Sequence, residues 1–195
     1  HVPDHYDRSF ALGVGLNTLY AALEAVAGWW LQSVALIADA GHNLTDVLAL
    51  ILAWGAYRMS AQPTSYQRTY GFQRLTILAS LASGILLLIA VIVITIEAWQ
   101  RFQEPAEPTS LLMGLVALVG VGINIGTAWL FHHGSEQDLN LRGAWLHMLA
   151  DAGVSLAVVI GAVVIYYTAW LWIDPAIALL IALVILWATW GLLKE

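Results

Sequence analysis

Cysteine is absent, so there is no disulfide framework, thiolate metal ligation is excluded, and the redox compartment is not legible. Charge is scarce too: only 10% of the 195 residues are Asp, Glu, Lys or Arg, against roughly 25% in a soluble domain. The five prolines, Pro3, Pro63, Pro105, Pro108 and Pro175, fall outside the long apolar runs or at the first turn of one, as helices require. The opening His1-Val2-Pro3-Asp4-His5 is not expected to be a signal peptide, having neither a basic start nor a short apolar core. A chain that begins with His is expected to have been trimmed from a longer one. What fills the space is hydrophobicity, 61% of residues with a mean hydropathy of +0.78, which points to a polytopic membrane protein. The net charge of -6 says little, because several of the acids lie inside the apolar runs.

Six apolar segments, approximately 10–30, 34–60, 72–102, 110–133, 139–168 and 174–193, are each long enough to cross a hydrocarbon core of ~30 Å at about 20 residues. The expected fold is all-α, a single transmembrane domain over 1–195 with six membrane helices and no C-terminal cytoplasmic domain after the sixth. Asp174-Pro175 reads as an N-cap followed by proline at the first helical position, and Ser135 with Asp138 has capping-box spacing. Trp29, Trp30, Trp99, Trp129, Trp170, Trp172 and Trp190 lie near segment ends, where an aromatic belt places them. With six spans, Arg8, Arg58, Arg68, Arg74, Arg142 and Lys194 share one side with both termini, and only Arg101 falls opposite. The positive-inside rule then puts both termini, the 62–70 connection and the 132–140 connection in the cytoplasm.

Within these runs stands the stretch from Ala38 to Asp46, which carries Asp39, His42, Asn43 and Asp46. About a hundred residues later His147 and Asp151 repeat its His-x-x-x-Asp spacing. Positions i and i+4 share a helical face, so each pair points one way. If helices 2 and 5 face each other, two imidazoles and two carboxylates converge. Four nitrogen and oxygen donors in a tetrahedron suit a divalent transition metal, zinc above all, with cobalt, cadmium or nickel also fitting. Calcium and magnesium want more oxygen and no imidazole. A lone His on an apolar helix is ordinarily a packed core residue, and a lone Asp a cap or brace. Two matched pairs favour the metal reading, since burying this much polarity without function is costly.

Other polar residues are open to more than one reading. Asp39 is an acceptor behind the ligands, a step on an ion or proton route, or a brace to helix 1. Asn43 and Asn124 orient ligands or hydrogen-bond across helices. Glu24, in a stripe with Asn17 and Tyr20, lines a water-filled path or pairs with another helix. His132 and His133, beside Glu136 and Asp138, form a peripheral metal-capture site or, more ordinarily, a solvated loop; His1 and His5 support even less. Ala79, Ala82 and Gly84 permit close helix approach and hence a dimer contact.

The stretch from Ser33 to Asp46 resembles the second-helix signature of the cation diffusion facilitator family, in its bacterial zinc-transporter branch. Tyr70-Gly71-Phe72-Gln73-Arg74-Leu75 resembles the start of its third helix, and the stretch from Asn140 to Asp151 its fifth-helix signature. His132-His133-Gly134-Ser135-Glu136 is similar to a segment that precedes that helix in some bacterial members. The resemblance implies a six-helix antiporter of a bacterial inner membrane that exports zinc, often with cadmium or cobalt, in exchange for protons. It also implies direct coordination by His42, Asp46, His147 and Asp151, and a homodimer. No cofactor is implied, zinc being the cargo. Two departures from the family pattern are expected, the absence of the usual C-terminal domain after helix 6 and of the His-rich loop between helices 4 and 5 of many eukaryotic members. Rival readings are a membrane metalloenzyme activating water with Asp39 or Glu24 as base, a haem bundle with His42 and His147 as axial ligands, and a passive cation channel. No hydrolase motif accompanies the first, and the paired Asp residues argue against the second.

Overall fold

A computed structural model describes residues 4–60, 74–135 and 139–192, with side chains over 13–48, 81–130 except Ser83, residues 132 and 142, and 145–187. The described residues form six helices and no strand: α1 (Asp4–Leu31), α2 (Val34–Ser60), α3 (Arg74–Gln103), α4 (Ser110–Ser135), α5 (Leu139–Thr168) and α6 (Ile173–Leu192). Helix α2 sits centrally, in contact with α1, α3, α5 and α6, while α4 packs between α1 and α5. The 62–70 connection, the His1 and His5 pair, the Ser135 and Asp138 side chains and the Trp190 ring lie outside what is described. So do the side chains of His133, Glu136, Arg8, Arg58, Arg68, Arg74 and Lys194.

Helices α1 and α2 join through a turn of two residues. Gln32 adopts a left-handed conformation at φ 59°, and the Ser33 amide donates back to the Gly28 carbonyl at 2.9 Å, which closes the end of α1 as a Schellman-type cap does. Gly28 is required there for a second reason. A Cβ at that position would meet Ile37 Cγ1 at 2.9 Å, the Ile37 backbone nitrogen at 3.0 Å and Leu36 Cβ at 3.1 Å. Only glycine lets the two helices approach this closely.

Asp174 behaves differently from its sequence expectation. It lies inside the first turn of α6, whose first residue is Ile173, and its carboxylate caps α2. It accepts from Ser33 Oγ at 2.6 Å, from the Val34 amide at 2.7 Å and from the Ala35 amide at 3.3 Å. Ser33 Oγ in turn accepts from the Leu36 amide at 3.2 Å. The first three amides of α2 are thus all paired, two of them by another helix, in a place too buried for water to serve.

The interior divides into two layers along the helices. Val34, Ala35, Leu36 and Ala38 of α2 pack with Val91, Ile94 and Ala98 of α3, Met113 and Ala117 of α4, Val158, Ala162 and Ile165 of α5, and Ala178, Ile181, Ala182 and Ile185 of α6. This apolar core lies at the end carrying the α1–α2, α3–α4 and α5–α6 connections. Towards the termini the buried residues become polar: Asn17 and Glu24 of α1, Asp39, His42 and Asn43 of α2, Asn124 and Thr127 of α4, and Asp151 and Ser155 of α5.

The outside is the reverse of a soluble protein. Large apolar side chains such as Leu19, Leu23, Val26, Ile92, Val119, Ile160 and Leu183 stand exposed on all sides. Such a surface, wrapped around buried acids and imidazoles, suits lipid rather than water. Trp29, Trp30, Trp99, Trp129, Trp170 and Trp172 are exposed, the last two stacked with ring centroids 6.1 Å apart. Among the described residues, 84–103, 110–130 and 145–168 are long and apolar enough to cross a bilayer, and 173–187 forms a shorter apolar helix. This is a helical membrane protein. Ala82 and Gly84 are half-buried, and a Cβ at Gly84 would meet nothing within 4 Å; Ala79 lies outside the described side chains.

Candidate metal centre

Two helical stripes build the centre. On α2, Asp39, His42 and Asp46 follow one another at three- and four-residue spacing; on α5, His147, Asp151 and Ser155 do so at four, and such residues share a face. The two helices touch where these stripes meet. Ligand atoms of His42, Asp46 and Asp151 all lie within 4.8 Å of one another. His42 Nδ1 is 3.5 Å from Asp46 Oδ2, and its Nε2 is 3.5 Å from Asp151 Oδ1. His147 completes the group from α5, with Nε2 3.2 Å from Asp46 Oδ2 and 3.6 Å from Asp151 Oδ2. The imidazoles meet edge to face, with centroids 6.3 Å apart.

Exposure is graded across the cluster. The side chain of Asp151 is 3% exposed and that of His42 10%, whereas Asp46 reaches 22% and His147 41%. His42 Nδ1 and Asp46 Oδ2 are buried without a hydrogen-bond partner. Buried polar atoms are nearly always paired, so a facing nitrogen and oxygen without a partner among the described residues make this a candidate place for a cation.

The remaining sequence candidates separate. Asp39 is fully buried behind the cluster, where its carboxylate accepts from Ser155 Oγ at 2.7 Å and from Asn43 Nδ2 at 3.4 Å. Asn43 does not touch the four donors; its amide also donates to Glu24 Oε2 at 3.5 Å. Glu24, fully buried, accepts from Tyr20 OH at 2.7 Å. It thus pairs with Tyr20 of its own helix and with Asn43 of α2. Asn124 is fully buried, and both its amide atoms lack a partner. His132 is exposed, its ring 5.6 Å from that of Trp145. His133 lies outside the described side chains.

Ser155, Thr127 and Met148 are additions. Asn17 Nδ2 donates to the Gly13 carbonyl at 3.0 Å, and lies 3.4 Å from Thr127 Oγ1 and 3.6 Å from Met148 Sδ, tying α1 to α4 and α5 beside the cluster. Ser155 was findable by extending the His147–Asp151 stripe one more turn. Thr127 and Met148 carry no comparable signal, since such residues are common in apolar helices.

A membrane bundle with an acid–imidazole cluster between two helices is the architecture of a cation-handling membrane protein. Residues 11–195 match the family model described as the cation efflux transmembrane domain, and the chain belongs to that family. It is 39% identical to zinc transporter ZitB of Escherichia coli (strain K12) over 197 residues, covering 100% of this chain and 63% of that protein. It is 38% identical to the metal cation efflux system protein CzcD of Cupriavidus metallidurans over 198 residues, covering 100% and 63%. A cadmium, cobalt and zinc/H(+)-K(+) antiporter of Bacillus velezensis is 33% identical over 180 residues, covering 91% and 58%. The chain therefore spans a little under two thirds of the length of these relatives, whose names describe transport rather than catalysis.

Proposed function

We propose that this chain forms the membrane part of a secondary transporter that exports zinc from the cytoplasm in exchange for protons, and that His42, Asp46, His147 and Asp151 hold the ion in transit. The observation that carries the reading is the convergence of four donor side chains from α2 and α5, with imidazole-to-carboxylate distances of 3.2 to 3.6 Å. Two ligands each about 2.0 Å from a tetrahedral ion lie roughly 3.3 Å apart, whereas one ligand atom from each of His42, Asp46 and Asp151 lies within 4.8 Å of the others, so the donors would draw together on a single zinc. Two imidazoles and two carboxylates also accept cadmium, cobalt and nickel, and cadmium and cobalt stand beside zinc in the name of the Bacillus velezensis relative.

All six helices span the membrane in this reading, with both termini and the basic connections in the cytoplasm and Arg101 outside. The more exposed donors, Asp46 and His147, then lie on the cytoplasmic side of His42 and Asp151. Zinc reaches them first, on neutral imidazole and ionised carboxylate, and passes inward. Protons and zinc compete for the same atoms, and an imidazole with an ordinary pKa of ~6.5 places that competition near physiological pH. Protons arriving from outside displace the ion and reset the donors. The working unit is a homodimer in an inner membrane, which cross-linking in native vesicles checks.

The test is zinc flux in proteoliposomes under an imposed pH gradient. Transport that follows the gradient, and is lost in His147→Ala and Asp46→Ala, is expected. Flux that ignores the gradient, as in a channel, or that survives both substitutions, sinks the proposal.

A further inference from the structure

Beside the metal cluster lies a second set of acids that the transport scheme does not use. Glu24 on α1 and Asp39 on α2 are both fully buried. Asn43 Nδ2 donates to both, at 3.5 Å and 3.4 Å, so the two carboxylates are neighbours across one amide. Tyr20 OH donates to the other oxygen of Glu24 at 2.7 Å, and Ser155 Oγ to the other oxygen of Asp39 at 2.7 Å. Every partner is neutral. Among the described residues no lysine or arginine touches the pair; Arg101 reaches only Gln32, at 3.4 Å. Two carboxylates this close in an apolar bundle do not both stay ionised without a cation, because mutual repulsion and lost hydration add.

A second observation concerns the interface of α1 with α4. Val116, Gly120, Asn124 and Thr127 share one face of α4 by spacing, and that face meets α1. The Val116 carbonyl accepts from Tyr20 OH at 3.2 Å, a Cβ at Gly120 would strike the Tyr20 hydroxyl, and Thr127 receives Asn17 at 3.4 Å. Asn124 stands between these contacts, fully buried, with neither amide atom paired. An unpaired buried amide is costly, and a water or ion is the usual remedy.

We propose that Glu24 and Asp39 form a second cation site, separate from the four-donor cluster, which holds one exchangeable proton between them and is served by water at Asn124. The groups facing Glu24 are Tyr20 from α1 and Asn43 from α2, and those facing Asp39 are Asn43 from α2 and Ser155 from α5, with His42 of α2 and Asp151 of α5 the further titratable groups that act on Asp39. The site takes up a proton as the carboxyl O–H of one acid, hydrogen-bonded within the network, and releases it to the adjoining water. Resting on the transport reading above, it couples to the metal through α2 and α5. Asp39 lies one turn from His42, and its partner Ser155 lies one turn from Asp151. A divalent ion bound there favours release of the shared proton.

Infrared difference spectra of the whole chain in lipid vesicles, with and without zinc, test this. The wild type should show a protonated-carboxyl carbonyl band that disappears on zinc addition. Glu24→Gln should lose the band and release about one proton fewer per zinc, read with a pH dye. Tyr20→Phe, which keeps both acids, should shift the band without abolishing it. A band that survives Glu24→Gln, or is unmoved in Tyr20→Phe, overturns the proposal. So does one titrated away by potassium or sodium at fixed pH, since the pair would then hold an alkali cation. Zinc-free Asp46→Asn should retain the band, which keeps the two readings apart. A wild type that binds no zinc sinks the transport reading, whereas the response of the zinc-free band to Glu24→Gln decides this one.

Discussion

His147 is the most open of the four donors, and its only close polar neighbours among the described residues are the Asp46 and Asp151 carboxylates. Removing it should cost more than the loss of a residue that merely orients a ligand, which is about 10–100-fold in metal affinity. Calorimetric titration of His147→Ala with zinc is therefore expected to show a loss beyond tenfold. Because zinc needs neutral imidazole, affinity in the wild type should fall steeply as pH drops through about 6.5, and titrations on either side of that pH give the sign. Ser155→Ala removes the donor to Asp39 and should cost roughly 1 kcal/mol of stability, since cross-helix bonds in membranes are individually modest. The four side chains that converge between α2 and α5 were legible in the sequence as candidates because an ionisable residue is conspicuous in an apolar helix. The Glu24–Asn43–Asp39 bridge was not, since spacing assigns each residue to a face but does not say which helix that face meets.

Helices α1 and α2 depend on two features at their junction, Gly28 and the cap supplied by Asp174. Gly28→Ala should force the pair apart, because two of the three contacts it would make are with α2 backbone and Cβ atoms, which cannot swing away. A loss of about 1–3 kcal/mol is expected, read as a lower unfolding temperature in detergent. Asp174→Ala should free the Val34 and Ala35 amides and cost about 1–2 kcal/mol, with faster hydrogen exchange at those two amides and no comparable change in α6. The helices themselves were readable from apolar run length, and α2 and α5 span the ranges expected. What misled was Asp174-Pro175: the dipeptide has the composition of a local cap, and only tertiary packing redirects its carboxylate to another helix.

At the scale of the molecule, the layering sets apolar core at one end against buried polarity at the other, inside a lipid-facing coat. If all six helices span the bilayer, the basic residues that argue for orientation are six on one side and Arg101 on the other. With no native cysteine, single-cysteine labelling is clean. Glu104→Cys and Glu107→Cys should react with a membrane-impermeant maleimide from outside intact cells, and Arg142→Cys only after permeabilisation. The opposite pattern inverts the orientation, and with it the face from which zinc is taken up. Sequence alone supported this orientation through charge asymmetry, but could not show that the donors differ in openness. That gradient depends on how far each side chain lies from the packed end.

The Asp174 cap also works as a fulcrum. Twelve residues separate Val34 from Asp46, an arm of about 18 Å at helical rise. A tilt of α2 by roughly 10° about its tethered end would carry Asp46 about 3 Å, as much as the whole spacing between one donor and the next. His42, nearer the pivot, would travel less, and the apolar layer at the tether would hardly stir. A swing too small to unpack the tethered end of the bundle would thus be enough to draw the four side chains of the cluster apart.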